Sequence, residues 1–362
     1  MSYTNGLDKP SDYFDTKLYA GNGSSQSISG LDFQPDWVWI KARTIDFSHS
    51  LFDSVRGVQK RLQTNNTEAE GTDTQSVTAF NSDGFSIGNS SSVNENSNNF
   101  VVWNWLAGDS NTSVSASGSG NGAINACTYR ANTTSGFSIV EYTGRNGDIS
   151  NNNETKVAHG LGVKPYFVFI KRIDSAEDWV VRGGNSVSDP LTNDYHLKLN
   201  TSDARSGSLY IGKSYLDDST HFLVGNDAKV NQQDATYIAY AFAEKKGFSK
   251  MGSYVGNGST DGTFVYTGFS PSFVIRKRTD SADSWQMHDN KRDTFNVTYH
   301  RLLADDSGSE YTSTSNQLDF LSNGFKCRAS NGGANGSGGT YIYMCFAENP
   351  FVTSTGIPTT AR

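Results

Sequence analysis

Hydrophobic residues in this chain fall in short runs broken by Gly, Asn, Asp and Ser, and helical spacing is hard to find. Aromatic and β-branched residues dominate the runs, the composition of a pleated surface buried on one face or both. Three runs follow a proline and end in a lysine: Pro35-Asp-Trp-Val-Trp-Ile-Lys41, Pro165-Tyr-Phe-Val-Phe-Ile-Lys171 and Pro271-Ser-Phe-Val-Ile-Arg-Lys277. A proline costs little at the first residue of a strand, and an unbroken apolar run suits a strand covered on both faces. Each run therefore predicts a central strand that opens on its proline.

Other signals recur in the same order. An aromatic-glycine turn precedes each run: Tyr19-Ala-Gly-Asn-Gly23, Tyr142-Thr-Gly-Arg-Asn-Gly147 and Tyr254-Val-Gly-Asn-Gly258. Asn and Gly tolerate the positive φ of a tight turn. Trp179 and Trp285 stand fourteen residues past their prolines, with His49 in that place in the first copy. Each series closes on a further strand, beginning at Phe100, Tyr237 and Tyr341. Just upstream, Asn81-Ser-Asp-Gly-Phe85 and Ser322-Asn-Gly-Phe325 read as turns into a strand, whereas the second copy has His221-Phe-Leu-Val-Gly225. The expected fold is all-β, with tandem antiparallel sandwich-like modules in three diverged repeats. The repeats span 1–108, 136–244 and 245–362, and 109–135 is a loop-strand-loop connector.

At 362 residues the chain can bury more than one core without a disulfide or metal crutch. Its net charge of −7 speaks against sequence-independent nucleic-acid binding, which needs a basic face. Cys127, Cys327 and Cys345 lack CxxC spacing and read as reduced, apolar fillers, in keeping with assembly in a cytoplasm. The opening residues carry no export signal, and no apolar stretch is long enough to span a bilayer, so neither export nor membrane insertion is expected.

Candidate chemistry is sparse. The six histidines are scattered without metal-ligand spacing, no serine sits in a GxSxG elbow, and Gly118-Ser-Gly-Asn-Gly122 lacks the Lys-Ser/Thr of a phosphate loop. No enzyme activity, cofactor or metal is expected. Pairs such as Asp217-Asp218 and Asp305-Asp306 read as solvated charge, with a polysaccharide depolymerase as the enzymatic alternative. His49 and His288, soon after the lysine strand in their copies, read as structural. Lys41, Lys171 and Lys277, with Arg43, Arg172 and Arg278 beside them, are expected to pair with Asp46, Asp174 and Asp280 in the next turn. The turns supply the candidate ligand contacts: Tyr19, Asn22, Tyr142, Asn146, Tyr254 and Asn257, with aromatic rings for stacking on sugars and amides for their hydroxyls. The competing expectation places those tyrosines, and Trp179 and Trp285, in a core.

Asp8-Lys-Pro-Ser-Asp-Tyr-Phe14, Gln34-Pro-Asp-Trp-Val-Trp-Ile-Lys41, Phe52-Asp-Ser-Val-Arg-Gly57, His159-Gly-Leu-Gly162 and the ending from Tyr341 to Arg362 resemble a family of uncharacterised tailed-phage structural proteins of marine podophages and prophages. The resemblance implies a virion component, tail- or fibre-associated, with no catalytic motif to carry over. The expected function is a surface-displayed tail-fibre or appendage protein that touches host-surface glycans, with a capsid decoration protein binding coat subunits as the alternative. Expected partners are other virion proteins and further copies of the chain, most readily as a homotrimer. Without heptads, such a trimer would use sheet faces or edge strands.

Overall fold

The computed structural model describes residues 7–145, 154–184, 189–192, 195–208, 211–213 and 217–360. With 44% strand and 3% helix, it is an all-β protein of antiparallel sheets. The first unit holds β1 (Phe14–Ala20), β2 (Gln26–Ser29), β3 (Trp37–Ala42), β4 (Ser50–Asp53), β5 (Gly57–Leu62), β6 (Gly71–Thr72), β7 (Val77–Asn81), β8 (Gly84–Ile87) and β9 (Asn99–Trp105). Its large sheet runs β1-β9-β3-β4-β5-β6, and β2-β8-β7 forms a small one.

The second unit holds β10 (Thr112–Val114), β11 (Cys127–Asn132), β12 (Phe137–Thr143), β13 (Thr155–Ala158), β14 (Phe167–Arg172), β15 (Val180–Gly183), β16 (Tyr195–Lys198), β17 (Ser206–Gly207), β18 (His221–Val224) and β19 (Thr236–Phe242). Its large sheet runs β10-β11-β12-β19-β14-β15-β16-β17, beside the pair β13-β18. The third holds β20 (Ser249–Val255), β21 (Phe264–Tyr266), β22 (Phe269–Arg278), β23 (Gln286–Asp289), β24 (His300–Leu303), β25 (Tyr311–Thr312), β26 (Leu318–Leu321), β27 (Gly324–Cys327) and β28 (Thr340–Pro350). Here the sheets are β20-β28-β22-β23-β24-β25 and β21-β27-β26. The strand path of the first large sheet thus recurs from β12 in the second and from β20 in the third.

Register follows the same scheme. Trp37 faces Trp105, Phe167 faces Phe242, and Phe273 faces Phe346; one pleat on, Trp39 faces Trp103, Phe169 faces Tyr240, and Ile275 faces Met344. These residues lie on the inner faces of the large sheets and belong to one hydrophobic core shared by all three units. The alternate residues face outward under the small sheets. Val38 and Ile40 pack with Phe85, Val168 and Ile170 with Phe222, and Val274 with Phe325, in three separate cores. A strand covered on both sides has no polar face, which is why the runs after the prolines are unbroken.

Two details differ from the sequence reading. Pro271 lies inside β22 rather than before a strand, at a register shift on both sides of it. A bulge accommodates the missing donor there. The connector expected at 109–135 is annexed by the second unit, because β11 pairs with β12 and β10 pairs with β11. The turns at Asn81–Phe85 and Ser322–Phe325 are the hairpins β7-β8 and β26-β27, and the second unit, lacking the motif, pairs β18 with β13 instead.

Candidate functional site

The aromatic-glycine turns end β1, β12 and β20, and their tyrosines turn inward. The hydroxyls of Tyr19, Tyr142 and Tyr254 donate to the carbonyls of Val93, Val230 and Ala334 at 2.7, 2.6 and 2.7 Å. Their rings stack on the first aromatic of the closing strand, Phe100, Tyr237 and Tyr341, with centroids 5.2, 5.0 and 4.9 Å apart. The residue after each accepting carbonyl is a buried asparagine, Asn94, Asn231 or Asn335. Each amide oxygen accepts the main-chain N–H of the turn, from Asn22, Arg145 or Asn257. Asn22 and Asn257 fold their own side chains back to accept from Ser24 and Ser259. Asn146 lies outside the described residues. With rings and hydroxyls engaged internally, what the first and third turns present outward is main chain and the edges of Asn22 and Asn257. Sequence reasoning missed Asn94, Asn231 and Asn335, since a lone Asn in an Asn-rich chain carries no signal.

The other recurrent residues meet at the seams between units. Trp179 Nε1 of the second unit donates to Gln63 O of the first at 2.7 Å, and Trp285 Nε1 of the third donates to Lys198 O of the second at 2.8 Å. His49 of the first closes the cycle: its Nε2 bonds Leu303 O of the third at 2.9 Å, while its Nδ1 accepts from Trp39 Nε1 at 2.8 Å. Burial drives the His49 pKa down to about 3, keeping the ring neutral for this relay. The backbone N–H groups of His49, Trp179 and Trp285 each donate to a matching side chain, Asn65, Asn200 or Asp305. The signal for these three was present as Leu62-Gln-Thr-Asn65, Leu197-Lys-Leu-Asn200 and Leu302-Leu-Ala-Asp305. His288 does not correspond to His49; it faces outward beside Val274.

The lysines depart from the expected pairing. Lys41, Lys171 and Lys277 are buried and bond carbonyl oxygens, not carboxylates. Lys41 Nζ reaches Ser307 O of the third unit at 3.1 Å, Lys171 Nζ reaches Thr67 O of the first at 3.0 Å, and Lys277 Nζ reaches Arg278 O at 2.6 Å. Burial lowers each pKa to about 8 against the pull of nearby carboxylates. Arg172 and Arg278 do pair with Asp174 and Asp280, at 2.7 and 3.0 Å, whereas Arg43 crosses the seam to Glu310 at 2.8 Å.

A buried acid completes two of the seams. Asp53 Oδ2 accepts from Arg56 Nε at 2.6 Å and from the Tyr240 hydroxyl of the second unit at 2.8 Å. Asp289 Oδ2 accepts from Arg292 Nε at 2.5 Å and from Trp103 Nε1 of the first unit at 3.2 Å. In the corresponding place of the second unit stands Gly183, and the position that matches Tyr240 and Trp103 in the third unit is Met344, which has no proton to give. The acid is present where the neighbouring unit offers a donor and absent where it does not.

Clefts open on the surface among the described residues. One, of about 420 Å³, is lined by Val55, Ser113, Thr128, Glu141, Thr143 and Thr236, and burial raises the Glu141 pKa. Another, of about 530 Å³, is lined by Glu244, Lys246, Lys250, Tyr266, Thr267 and Phe351. Tyr266 is 60% exposed there, with the Lys250–Glu244 ion pair at 2.9 Å on the same wall. An open aromatic face beside charged hydrogen-bonding groups is suited to stacking on a sugar ring. Among the described residues no three His, Cys, Asp or Glu side chains are grouped to hold a metal ion.

A family model described as a domain of unknown function (DUF7483) matches residues 9–350. No curated protein matches the sequence.

Proposed function

We propose that this chain, which belongs to that family of unknown function, is a non-enzymatic structural component of a tailed-bacteriophage virion, displayed in a tail fibre or appendage. One observation carries the reading: recurrent polar residues at the seams are spent on joining units. The ring nitrogens of His49, Trp179 and Trp285 and the ammonium groups of Lys41 and Lys171 bond across seams, and Asp53 and Asp289, each paired with an arginine of its own unit, accept from the neighbouring unit. Such investment gives rigidity, the property a particle component needs. One segment that resembles phage structural proteins fits the same account: Asp53 of Phe52-Asp-Ser-Val-Arg-Gly57 pairs with Arg56 and accepts from Tyr240 of the second unit.

The homotrimer expected from the sequence competes with a single chain serving as a three-unit body. The shared core, which closes the inner faces of all three large sheets, favours the single chain. For host glycans, the surface on offer is the Tyr266 cleft rather than the aromatic-glycine turns.

Antibody raised against the purified chain, applied to intact virions, tests the assignment: label on the tail supports it, label on the shell selects the decoration reading, and no label on any particle refutes both. Release of reducing ends from host envelope polysaccharide by the pure chain would overturn the non-enzymatic part. A Tyr266→Ala variant should lose glycan retention on an affinity column without a change in melting temperature.

A further inference from the structure

Among the described residues, buried arginines come with carboxylates, with one exception. Arg56, Arg182 and Arg292 each lie within 2.7 Å of an Asp oxygen. Arg276 is equally buried, yet no carboxylate pairs with it among the described residues. Its Nη2 donates to Asn316 O at 2.6 Å and Gln286 Oε1 at 3.3 Å, and its Nη1 donates to Cys327 Sγ at 3.4 Å. Burial raises the Cys327 pKa, so the sulfur is a neutral thiol and brings no compensating charge. A guanidinium cannot shed its proton to escape the cost of burial.

The surroundings of Arg276 add to the deficit. Arg276 pairs with Gln286, and Val274 with His288, across β22 and β23; Met287 faces Leu302, so the next step of that ladder brings His288 opposite Arg301 on β24. By strand alternation these side chains share the outer face of the third large sheet. Both ring nitrogens of His288, both side-chain polar atoms of Asn290, and the Nε atoms of Arg276 and Arg301 are buried without a hydrogen-bond partner. In the first two units this face carries Ile40 and Phe52, and Ile170 and Arg182, the last paired with Asp217. Only the third unit has two cations here; its Asp283 acts on Arg301, and no carboxylate bonds Arg276 among the described residues.

We propose that the cluster of Arg276, His288 and Arg301 on the outer face of the third sheet binds a small inorganic anion of chloride type. Arginine and imidazole N–H groups are the donors such an ion requires, and the ion supplies the negative charge that the chain does not. An ordered water would satisfy His288, but it would leave the charge of Arg276 uncompensated.

The test is thermal and crystallographic. Melting temperature measured at constant ionic strength should rise with chloride and not with the larger methanesulfonate, by about 2 °C per tenfold increase above the dissociation constant. Arg276→Met should remove the response; if that variant fails to fold, the half-exposed Arg301→Gln should weaken it. A crystal grown in bromide should show an anomalous peak within hydrogen-bond distance of Arg276 and His288. No bromide signal there, or a chloride response that survives in Arg276→Met, overturns the proposal.

Discussion

Asp289 shows what one buried acid does at a seam. It neutralises Arg292 and accepts from Trp103 of another unit, with both members of the ion pair fully buried. Replacing it by Asn leaves the buried Arg292 with Glu310 alone, 3.1 Å away, and weakens the acceptor for Trp103, so Asp289→Asn should cost about 2–3 kcal/mol, seen as a shift of the denaturation midpoint. The lysines predict a pH effect. Their pKa values fall from 10.5 to about 8 on folding, so between those pH values the unfolded chain holds protons that the folded chain has released. Stability should therefore rise with pH across that window, and Lys171→Met should remove a third of the rise. His49 acts at the acid end: with its pKa lowered to about 3, stability should fall as pH drops from 6.5 towards 3, and less so in His49→Gln.

At the scale of elements, each large sheet depends on a clamp from outside its ladder. Asn335 fixes the turn after β20 by accepting from Asn257 N at 3.0 Å and donating to Asn257 Oδ1 at 2.7 Å. Its replacement by Ala removes both bonds and should cost about 1 kcal/mol. Faster hydrogen exchange at the Asn257 amide, with β22 and β28 unchanged, would place the damage at the turn. At one edge of each large sheet the last strand, β6, β17 or β25, is only two residues long, which leaves little of that edge for another chain to extend.

For the whole molecule the decisive feature is the common core. A unit taken alone would expose Phe273, Ile275, Trp285, Met287, Met344 and Phe346 to water. Residues 245–362 expressed by themselves should therefore aggregate or associate, whereas the full chain should unfold in one transition reported alike by tryptophan fluorescence and circular dichroism. Trp285→Ala, which empties a core site and leaves Lys198 O unbonded, should lower that transition by about 3–5 kcal/mol without splitting it.

Much of this was legible along the chain. Local periodicity specifies strands, Asn-Gly pairs specify turns, and the shared order of Pro35, Pro165 and Pro271 with their lysines foretold strands with matching register, because those features depend on neighbours in sequence. The partners of the polar residues were not legible. Nothing near Lys41 announces Ser307, and nothing near Asp289 announces Trp103, because those contacts join residues hundreds of positions apart. The inward turn of Tyr19, Tyr142 and Tyr254 was likewise set by the three-dimensional packing of each turn against a buried asparagine. Burial and its hydrogen-bond requirements are properties of the closed three-unit body, and only that body decides which charges meet an acid and which, like Arg276, do not.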